Sequence, residues 1–489
     1  MTKVSTGNPR KLPQLLALSA AAALLSACSM IPTYERPAAP VASSFGPYAG
    51  DPAPSPGELP AANVDWQDFF LDPKLKHLIE LALQNNRDLR VAVLNIEQAR
   101  AQFQIRRADQ LPNVNGVFSG SRTPIPGGGQ ASAYSAGLGV TAYELDFFGR
   151  VSSLKEAALG QYLATEEGRK TAQISLIAAL ANTYLSLLAD DEQLVLTSQT
   201  LTTRKTSTEL SQLRFDSGLS SELELRQAES LLEGANVAYA QQQRQRALDE
   251  NALTLLLGQP LTPDLLPEPT RRLVYAEVMA DVPAGLPSEL LTNRPDIRQA
   301  EQLLLAANAN IGAARAAFFP RIALTVSSGS ASNHLSDLLK DGSWGWTMMP
   351  QLVLPIFDAG RNRAGLDFAK AGRDIAVAQY EKSIQTAFRE VADALATHAT
   401  LNDQLESQKA QAKAEQVRFR LTDLRYQAGV SSYFEVMDAL RELFSFEQAV
   451  VQTRLAQLQS QVTLYKALGG GWSDLPVKAE AEAATTLAD

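Results

Sequence analysis

The spacing of apolar residues changes between two periods along this chain. From Val151 to Leu213, and again from Asn362 to Leu424, no proline occurs, and apolar residues recur every three or four positions in the second run and in the segment that follows it, which is the helical period. At 1.5 Å per residue each run predicts a helix of roughly 90 Å, with coiled-coil-like packing. The stretch from Ile174 to Leu188 is nearly apolar enough for a membrane span, but polar residues interrupt it and acidic residues close it. We therefore expect a buried helix there.

A period of two precedes each long run. Apolar residues at 136, 138, 140 and 142 alternate with small or polar ones, and the same alternation covers Ile322 to Ser327. Such alternation predicts strands with one apolar face, and Tyr143, Trp344 and Trp346 stand near the strand ends, where a membrane barrel carries aromatic residues. Ahead of the strands we expect a helix of about forty residues that stops before Pro112 or Pro320, because the residue before proline disfavours helix.

Each long helical run ends in a glycine followed by a Ser-Ser pair. Leu213-Arg214-Phe215-Asp216-Ser217-Gly218 and Leu424-Arg425-Tyr426-Gln427-Ala428-Gly429 share this pattern. Glycine permits the left-handed backbone that ends a helix, and serine is a preferred N-cap for the next. Gly218 and Gly429 are therefore predicted to have positive φ in tight turns between antiparallel helices.

The two turns belong to an internal repeat. Short motifs recur after 207 to 211 residues, among them Gly149-Arg150 with Gly360-Arg361 and Leu257-Gly258 with Leu468-Gly469. Most of the change in this interval, from 208 to 211 residues, occurs between the prolines and the Gly-Arg pairs, where a surface loop tolerates a length difference. We predict a first repeat over 65–270, a linker over 271–284, a second repeat over 285–472, and a flexible tail over 473–489.

The N-terminus has the features of a lipoprotein export signal. Basic residues precede a short apolar stretch in 1–27, and Leu25-Ser26-Ala27-Cys28 is similar to the bacterial lipobox. Cleavage before Cys28 would place a lipid on the sole cysteine; an ordinary signal peptide with a chance cysteine is the alternative. Residues 28–64, with eight prolines between 31 and 60, are predicted to form an extended, lipid-anchored tether.

Charge and composition exclude several functions. The formal net charge is −9, which disfavours nucleic acid as a partner. The three histidines are far apart and the glycine run at 469–471 has no following Lys-Ser or Lys-Thr, so neither a metal site nor a phosphate-binding loop is predicted, and we expect no enzyme and no cofactor besides the lipid. Glu435 and Asp438 share one helix face near a turn. By themselves two such acids are usually solvated charges that complement the helix dipole.

These parts together resemble the outer membrane factors, the exit ducts of tripartite efflux and type I secretion systems. The similarity covers nearly all of residues 60 to 472 and is most evident for the lipoprotein branch that serves resistance–nodulation–division pumps. The motifs that support it are Asn293-Arg294-Pro295-Asp296-Ile297, Pro355-Ile356-Phe357-Asp358-Ala359-Gly360-Arg361, Arg425-Tyr426 with Gly429, and Tyr465-Lys466-Ala467-Leu468-Gly469-Gly470-Gly471-Trp472.

The resemblance implies a mixed α and β fold in a homotrimer. Each chain would give four strands to an outer-membrane β-barrel and long helices to a periplasmic α-helical barrel. It further implies a periplasmic adaptor and an inner-membrane efflux pump as partners, outer-membrane lipid around the barrel, and passive export of drugs or other small toxic compounds. Family roles would fall on a periplasmic gate of Phe434, Glu435 and Asp438, and on adaptor-facing turns at Arg214, Gly218, Arg425 and Gly429.

Two rival functions follow from the same residues. A type I protein secretion duct would share the fold, and only the lipobox and the closing Gly-Gly-Gly-Trp favour drug efflux. A periplasmic coiled-coil scaffold is a different class of protein, but it has no use for alternating strands with aromatic ends.

Overall fold

The computed structural model describes residues 29–45, 64–267, 273, 279, 291 and 293–472. The predicted signal peptide, Cys28, the tail and nearly all of the linker lie outside these residues. Within them, eight α-helices and four strands are present. Their bounds are α1 (Trp66–Phe69), α2 (Pro73–Asn85), α3 (Arg87–Ala108), β1 (Val114–Pro124), β2 (Gln130–Leu145), α4 (Arg150–Asp216), α5 (Glu222–Leu257), α6 (Pro295–Ala316), β3 (Arg321–Ser332), β4 (Trp344–Val353), α7 (Arg361–Gln427) and α8 (Tyr433–Ala467).

The described chain divides into two compact units. The sheet unit comprises Asn95–Glu166, Gln299–Glu381 and the N-terminal segment up to Ala38. The helical unit comprises Ala39–Leu94, Glu167–Arg298 and the residues from Lys382 onward.

The four strands form one antiparallel sheet in the order β1-β2-β3-β4. Paired residues point to the same side, so the register assigns the faces. One face carries Phe118, Leu138, Val326, Met348 and Leu352 along its strands, whereas the other is mostly serine, threonine, glycine and alanine. The predicted division into an apolar face and a small or polar face is confirmed as far as Val140. Beyond that residue the prediction is wrong, because Tyr143 pairs with Leu324 and therefore lies on the apolar face in place of Ala142.

A bulge interrupts the pairing of β2 with β3. The register shifts between Val140 and Tyr143, and Ala142 has a φ of 52°. Its backbone N–H donates to the Thr325 hydroxyl at 3.1 Å, so the extra residue does not leave a main-chain donor unpaired. β2 therefore contains one residue more than its partner over this stretch.

Both predicted long helices are confirmed. α4 and α7 are 67 residues each, and the helices that follow them, α5 and α8, have 36 and 35 residues. The predicted forty-residue helix before the strands is wrong. α3 and α6 contain 22 residues each, although both end ahead of their proline as expected.

Asn86 is the reason that the first of these helices is short. The backbone leaves the helical region there, at φ −61° and ψ 131°. Its side-chain oxygen accepts from the Leu89 N–H at 2.9 Å, which caps α3, and its amide donates to the Leu256 carbonyl at 2.9 Å. Asn86 therefore interrupts the helix at a small cost in free energy, because its side chain caps α3 and also bonds to α5. Two helices form in place of one.

The core of the helical unit surrounds the apolar stretch of α4. α4 is the one helix in the described part of the chain that is long and apolar enough to cross a membrane, and two-thirds of its apolar segment is buried. The Tyr184 hydroxyl donates to Asp72 at 2.7 Å, and Tyr465 stacks on Phe69 at 3.9 Å between ring centroids. The expectation of a buried helix is therefore met.

The N-terminal strap, residues 29–36, lies against α6 in the sheet unit. It forms neither helix nor strand. Arg36 donates two hydrogen bonds to Glu301, at 2.8 and 2.7 Å, and the Tyr34 hydroxyl donates a third at 2.9 Å. Farther along α6, Asn308 donates to the Pro32 carbonyl at 2.7 Å and Arg315 to the Met30 carbonyl at 3.3 Å. The strap is a docked segment rather than a free one.

Candidate functional site

The turns that end α4 and α7 have the same hydrogen-bond pattern. Gly218 and Gly429 have φ of 67° and 73°, which confirms their predicted conformation. The Gly218 N–H donates to the Phe215 carbonyl at 2.9 Å, and the next N–H reaches back to the Arg214 carbonyl at 2.8 Å. The corresponding bonds at Gly429 go to Tyr426 and Arg425, both at 2.9 Å. This pair of bonds is a Schellman motif, which satisfies carbonyls at the end of a helix.

Serine starts the returning helix at both turns, but its side chain has different roles. The Ser221 hydroxyl accepts from the Glu224 N–H at 3.3 Å and caps α5. Ser432 occupies the N-cap position of α8 without a side-chain cap bond. The prediction of serine N-caps is right in position at both turns, and the capping bond forms at the first.

A small apolar cluster joins the two hairpins just above the turns. Tyr433, Val436 and Met437 of α8 are buried against Ala228 of α5. The Tyr433 hydroxyl also forms a hydrogen bond with Ser207 of α4. The two turns are therefore held side by side within the helical unit.

Arg214 is part of this junction and is only partly exposed. Its guanidinium donates to the Tyr426 hydroxyl and lies 5.3 Å from the centroid of that ring. A cation over a tyrosine face is attracted by the ring quadrupole. Arg425, by contrast, is exposed at the second turn. The sequence places both arginines at turns, whereas the structure shows that only Arg425 has its side chain largely free of the other hairpin.

The three predicted gate residues lie in the first two turns of α8 with different surroundings. Phe434 is 57% exposed and Glu435 is exposed in the first helical turn. Asp438 is half-buried and pairs with Arg418 of α7 at 3.4 Å and with Arg441 of its own helix. Within the described part of the chain no ion pair reaches Glu435. The sequence missed Arg418, which is on another helix, whereas Arg441 could have been found as an i,i+3 partner.

The surface around the turns is unusually apolar for helix ends. Large apolar side chains there are between half and three-quarters exposed, and exposed apolar patches on a protein mark interaction sites. The members of this patch are Leu213, Leu219, Leu223, Leu424 and Val430.

A buried carboxyl lies between α4 and α5, well away from the turns. Asp190 is 6% exposed and accepts from the Gln242 amide at 2.7 Å. Burial and, after it, a hydrogen bond with the carboxyl of Asp249 together raise the pKa of Asp190 to about 7. Arg246 stands nearby but pairs with Asp191, at 2.6 Å, so it does not neutralise Asp190.

Side chains suited to metal binding are dispersed. In the residues that the structure describes, no group of three or more histidine, cysteine, aspartate or glutamate side chains could hold a metal ion.

Comparison with known proteins agrees with this arrangement. The family profile described as "Outer membrane efflux protein" matches residues 78–259 and 286–470. The chain is 48% identical over 479 residues to the antibiotic efflux pump outer membrane protein ArpC of Pseudomonas putida and to the toluene efflux pump outer membrane protein TtgC of the same species, covering 96% of this chain and 98% of each relative. Its fold matches the open state of the MtrE outer membrane channel of Neisseria gonorrhoeae with a TM-score of 0.83 and 40% identity, over 91% of this chain and 99% of that one.

A β-sheet with one apolar face, followed along the chain by very long helices, is the arrangement expected of an outer-membrane channel. The chain belongs to the outer membrane efflux protein family. The protein is located in the outer membrane and extends into the periplasm.

Proposed function

We propose that this chain is the exit duct of a tripartite efflux pump for drugs and small organic toxicants. The observation that carries the proposal is a sheet with a small, polar face leading into 67-residue helices, because such a sheet can line a water-filled passage. The names of the relatives, an antibiotic pump and a toluene pump, support this substrate class. A passive duct needs an adaptor and an inner-membrane pump to supply substrate and energy.

The duct is a homotrimer. Four strands cannot enclose a lumen, since about eight are the minimum, whereas three copies supply twelve. Both outer strands of the sheet have an unpaired edge in the described chain, and long unpaired edges are normally covered in a soluble or membrane-embedded protein.

The chain is an internal duplication. The order helix, strand, strand, long helix, shorter helix occurs twice, with matching lengths in the long helices. Both halves also match the same family profile.

The turns dock the adaptor. The apolar patch around Gly218 and Gly429 and the exposed guanidinium of Arg425 provide a surface that an α-helical hairpin could cover. Arg214 acts through Tyr426 by holding the two turns together.

The acids of α8 and Phe434 form the periplasmic gate. Three copies of Glu435 around one axis would make an acidic ring, which attracts cations. Asp438 contributes less charge to this ring because two arginines compensate it.

Cys28 carries the lipid that anchors the N-terminus.

Complementation tests the function. The gene, supplied together with its own adaptor and pump, is expected to restore resistance to antibiotics and toluene in a strain that lacks its outer-membrane channels. A parallel strain with a type I secretion reporter serves as the comparison. Restored secretion of the reporter without restored resistance would favour the protein-secretion alternative.

Planar bilayer recordings test the gate. Wild-type channels are expected to be cation-selective with low conductance and to be blocked from the periplasmic side by trivalent cations. Replacing both acids by alanine should abolish the block, and Glu435→Gln alone should remove more of it than Asp438→Asn. Phe434→Ala should raise the conductance instead. If the block survives the double replacement, the two acids are ordinary solvated charges.

A further inference from the structure

A cavity of about 390 Å³ lies at the end of the sheet from which the long helices start. It is bounded by the segments that join β2 to α4, α6 to β3 and β4 to α7, all of them within the sheet unit. Its volume is that of a site for a small molecule. The polar residues that line it are Glu144, Asp146, Arg150, Arg321, Asp358, Arg361 and Asn362.

The register of the sheet places part of this lining on the small, polar face. Glu144 pairs with Ala323, and Arg321 lies two residues before Ala323 on the same strand. Paired residues, and alternate residues of one strand, point to the same side of a sheet. Ser327 marks that side as the small, polar one. The side chains of Glu144 and Arg321 therefore face the passage that the proposed duct would have.

Glu144 serves two guanidiniums at once. Its side chain is 10% exposed and accepts two hydrogen bonds from Arg150, both at 2.7 Å. Arg321 pairs with the same carboxylate at 2.6 Å, and the Arg321 side chain is 59% exposed. One negative charge is thus shared between two positive ones, so the exposed partner, Arg321, retains donors that face the cavity rather than Glu144.

The other two carboxylates of the cavity are engaged by main chain. Asp146 accepts from two backbone N–H groups at the start of α4, at 3.0 and 2.7 Å. Asp358 accepts from two at the start of α7, at 3.0 and 2.9 Å. The partial positive charge of a helix N-terminus offsets a carboxylate in this position. Neither acid is therefore available to neutralise an arginine.

Arg361 is the third guanidinium of the cavity and is exposed. In the part of the chain that the structure describes, no carboxylate forms an ion pair with it. The wall beside the arginines is aromatic: Phe148 and Phe319 are stacked 4.8 Å apart, and Phe319 is 40% exposed. Guanidinium groups bind carboxylates through two parallel hydrogen bonds, and an aromatic ring packs well against another.

We propose that this cavity binds aromatic carboxylates, with the carboxylate on Arg361 and Arg321 and the ring against Phe319. The inference deepens the proposed function, because it rests on the polar face as the lining of the passage and assigns that passage a preferred class of substrate. A neutral aromatic compound would fill the same space but would leave both guanidiniums without an acceptor.

Equilibrium dialysis of the full-length protein with 2-naphthoate tests the site, with the same detergent concentration in both chambers. R361Q is expected to weaken binding about tenfold, because it removes a charge-assisted hydrogen bond. E144Q should strengthen binding several-fold, because it removes the carboxylate that competes for Arg321. R363Q is the matched control: Arg363 is an exposed neighbour on α7 that pairs with Asp367 at 3.4 Å, and its loss should leave binding unchanged.

Two further ligands separate the charge from the ring. The neutral analogue 2-naphthylmethanol should bind at least tenfold more weakly than 2-naphthoate, and inorganic phosphate should displace 2-naphthoate only in large excess. Equal binding of the two naphthyl compounds would overturn the role of the arginines. Displacement by phosphate at a concentration equal to that of 2-naphthoate would overturn the aromatic wall.

The variants have opposite signs, so the site remains testable even if one of them does not fold. A purely structural ionic cluster predicts the same affinity in wild type, R361Q and E144Q, and that result would overturn the site. Absence of binding to the wild type would overturn it too. Neither result would touch the proposed duct, because restored resistance to toluene, which is neutral, measures export without this site.

Discussion

At the scale of single residues, the turn glycines are the clearest case of local chemistry deciding structure. A Cβ at Gly429 would meet no other atom within 4 Å, so its only cost is the positive φ. Gly429→Ala is expected to destabilise the turn by about 1 kcal/mol. Gly234→Ala is the matched control, because Gly234 lies inside α5 with equally open space and alanine should stabilise a helix there. Opposite shifts in the thermal unfolding temperature of the two variants are the expected result.

The positive φ of these glycines could be predicted from sequence because it depends on neighbours along the chain. The surroundings of Arg214 and Asp438 could not. Tyr426 is 212 residues from Arg214, and Arg418 meets Asp438 only because α7 and α8 form a hairpin. Residue types at a turn therefore identify the turn, whereas the charge that they present depends on which helices pack together.

At the scale of elements, the hairpin of α4 and α5 contains a titratable group. Because burial raises the pKa of Asp190 to about 7, the folded protein binds this proton more tightly than the unfolded chain does. Stability should therefore fall as the pH rises from about 4 to about 7 and change little above that. Asp190→Asn has no proton to lose, so its advantage over the wild type should grow on the order of 2 kcal/mol between pH 5 and pH 8.

Thermal unfolding in detergent at several pH values measures this effect. Asp403→Asn, an exposed residue of α7, is the control and should follow the wild type. Asp249→Asn should reduce the effect only in part, because it removes the neighbouring carboxylate but leaves Asp190 buried. An advantage of Asp190→Asn that does not change with pH would contradict a raised pKa at Asp190.

The strap offers a second prediction at this scale. Glu301 binds both Tyr34 and Arg36, so Glu301→Gln should loosen the strap and speed chymotrypsin cleavage after Tyr34 several-fold. Asn310→Asp changes an exposed residue of α6 and leaves the cleaved bond as it is, so it should leave the rate unchanged. Equal rates in all three proteins would show that the ionic contact does not hold the strap.

The elements differ in how far sequence could predict them. Alternation predicted β2 and β3, and proline-free helical runs predicted α4 and α7 to within three residues at each end. The break at Asn86 depends on a carbonyl 170 residues away, and the docking of the strap depends on a glutamate 265 residues from Arg36. The spacing of apolar residues along the chain carries no information about contacts between residues so far apart in sequence.

At the scale of the whole molecule, the proposed lipid and the strap act together. Arg315 holds the Met30 carbonyl, two residues after Cys28 in the chain, so a lipid on Cys28 would be attached next to a docked segment. Cys28→Ala is expected to abolish incorporation of radioactive fatty acid while trimers still form. Label that persists in the variant, or that is missing from the wild type, would exclude the lipoprotein.

The two unpaired edges of the sheet also determine whether a mutation is dominant or recessive. In the proposed trimer each copy would pair with one neighbour through one outer strand and with the other neighbour through the other. A variant damaged in one outer strand, such as Ser119→Pro, would still join a trimer but could not complete the closed ring. In cells that make equal amounts of wild type and variant, only about one ring in eight would consist of three sound copies. A deletion of the gene on one plasmid would be recessive, whereas a single damaged edge would be dominant, and antibiotic resistance of such merodiploid cells would tell them apart.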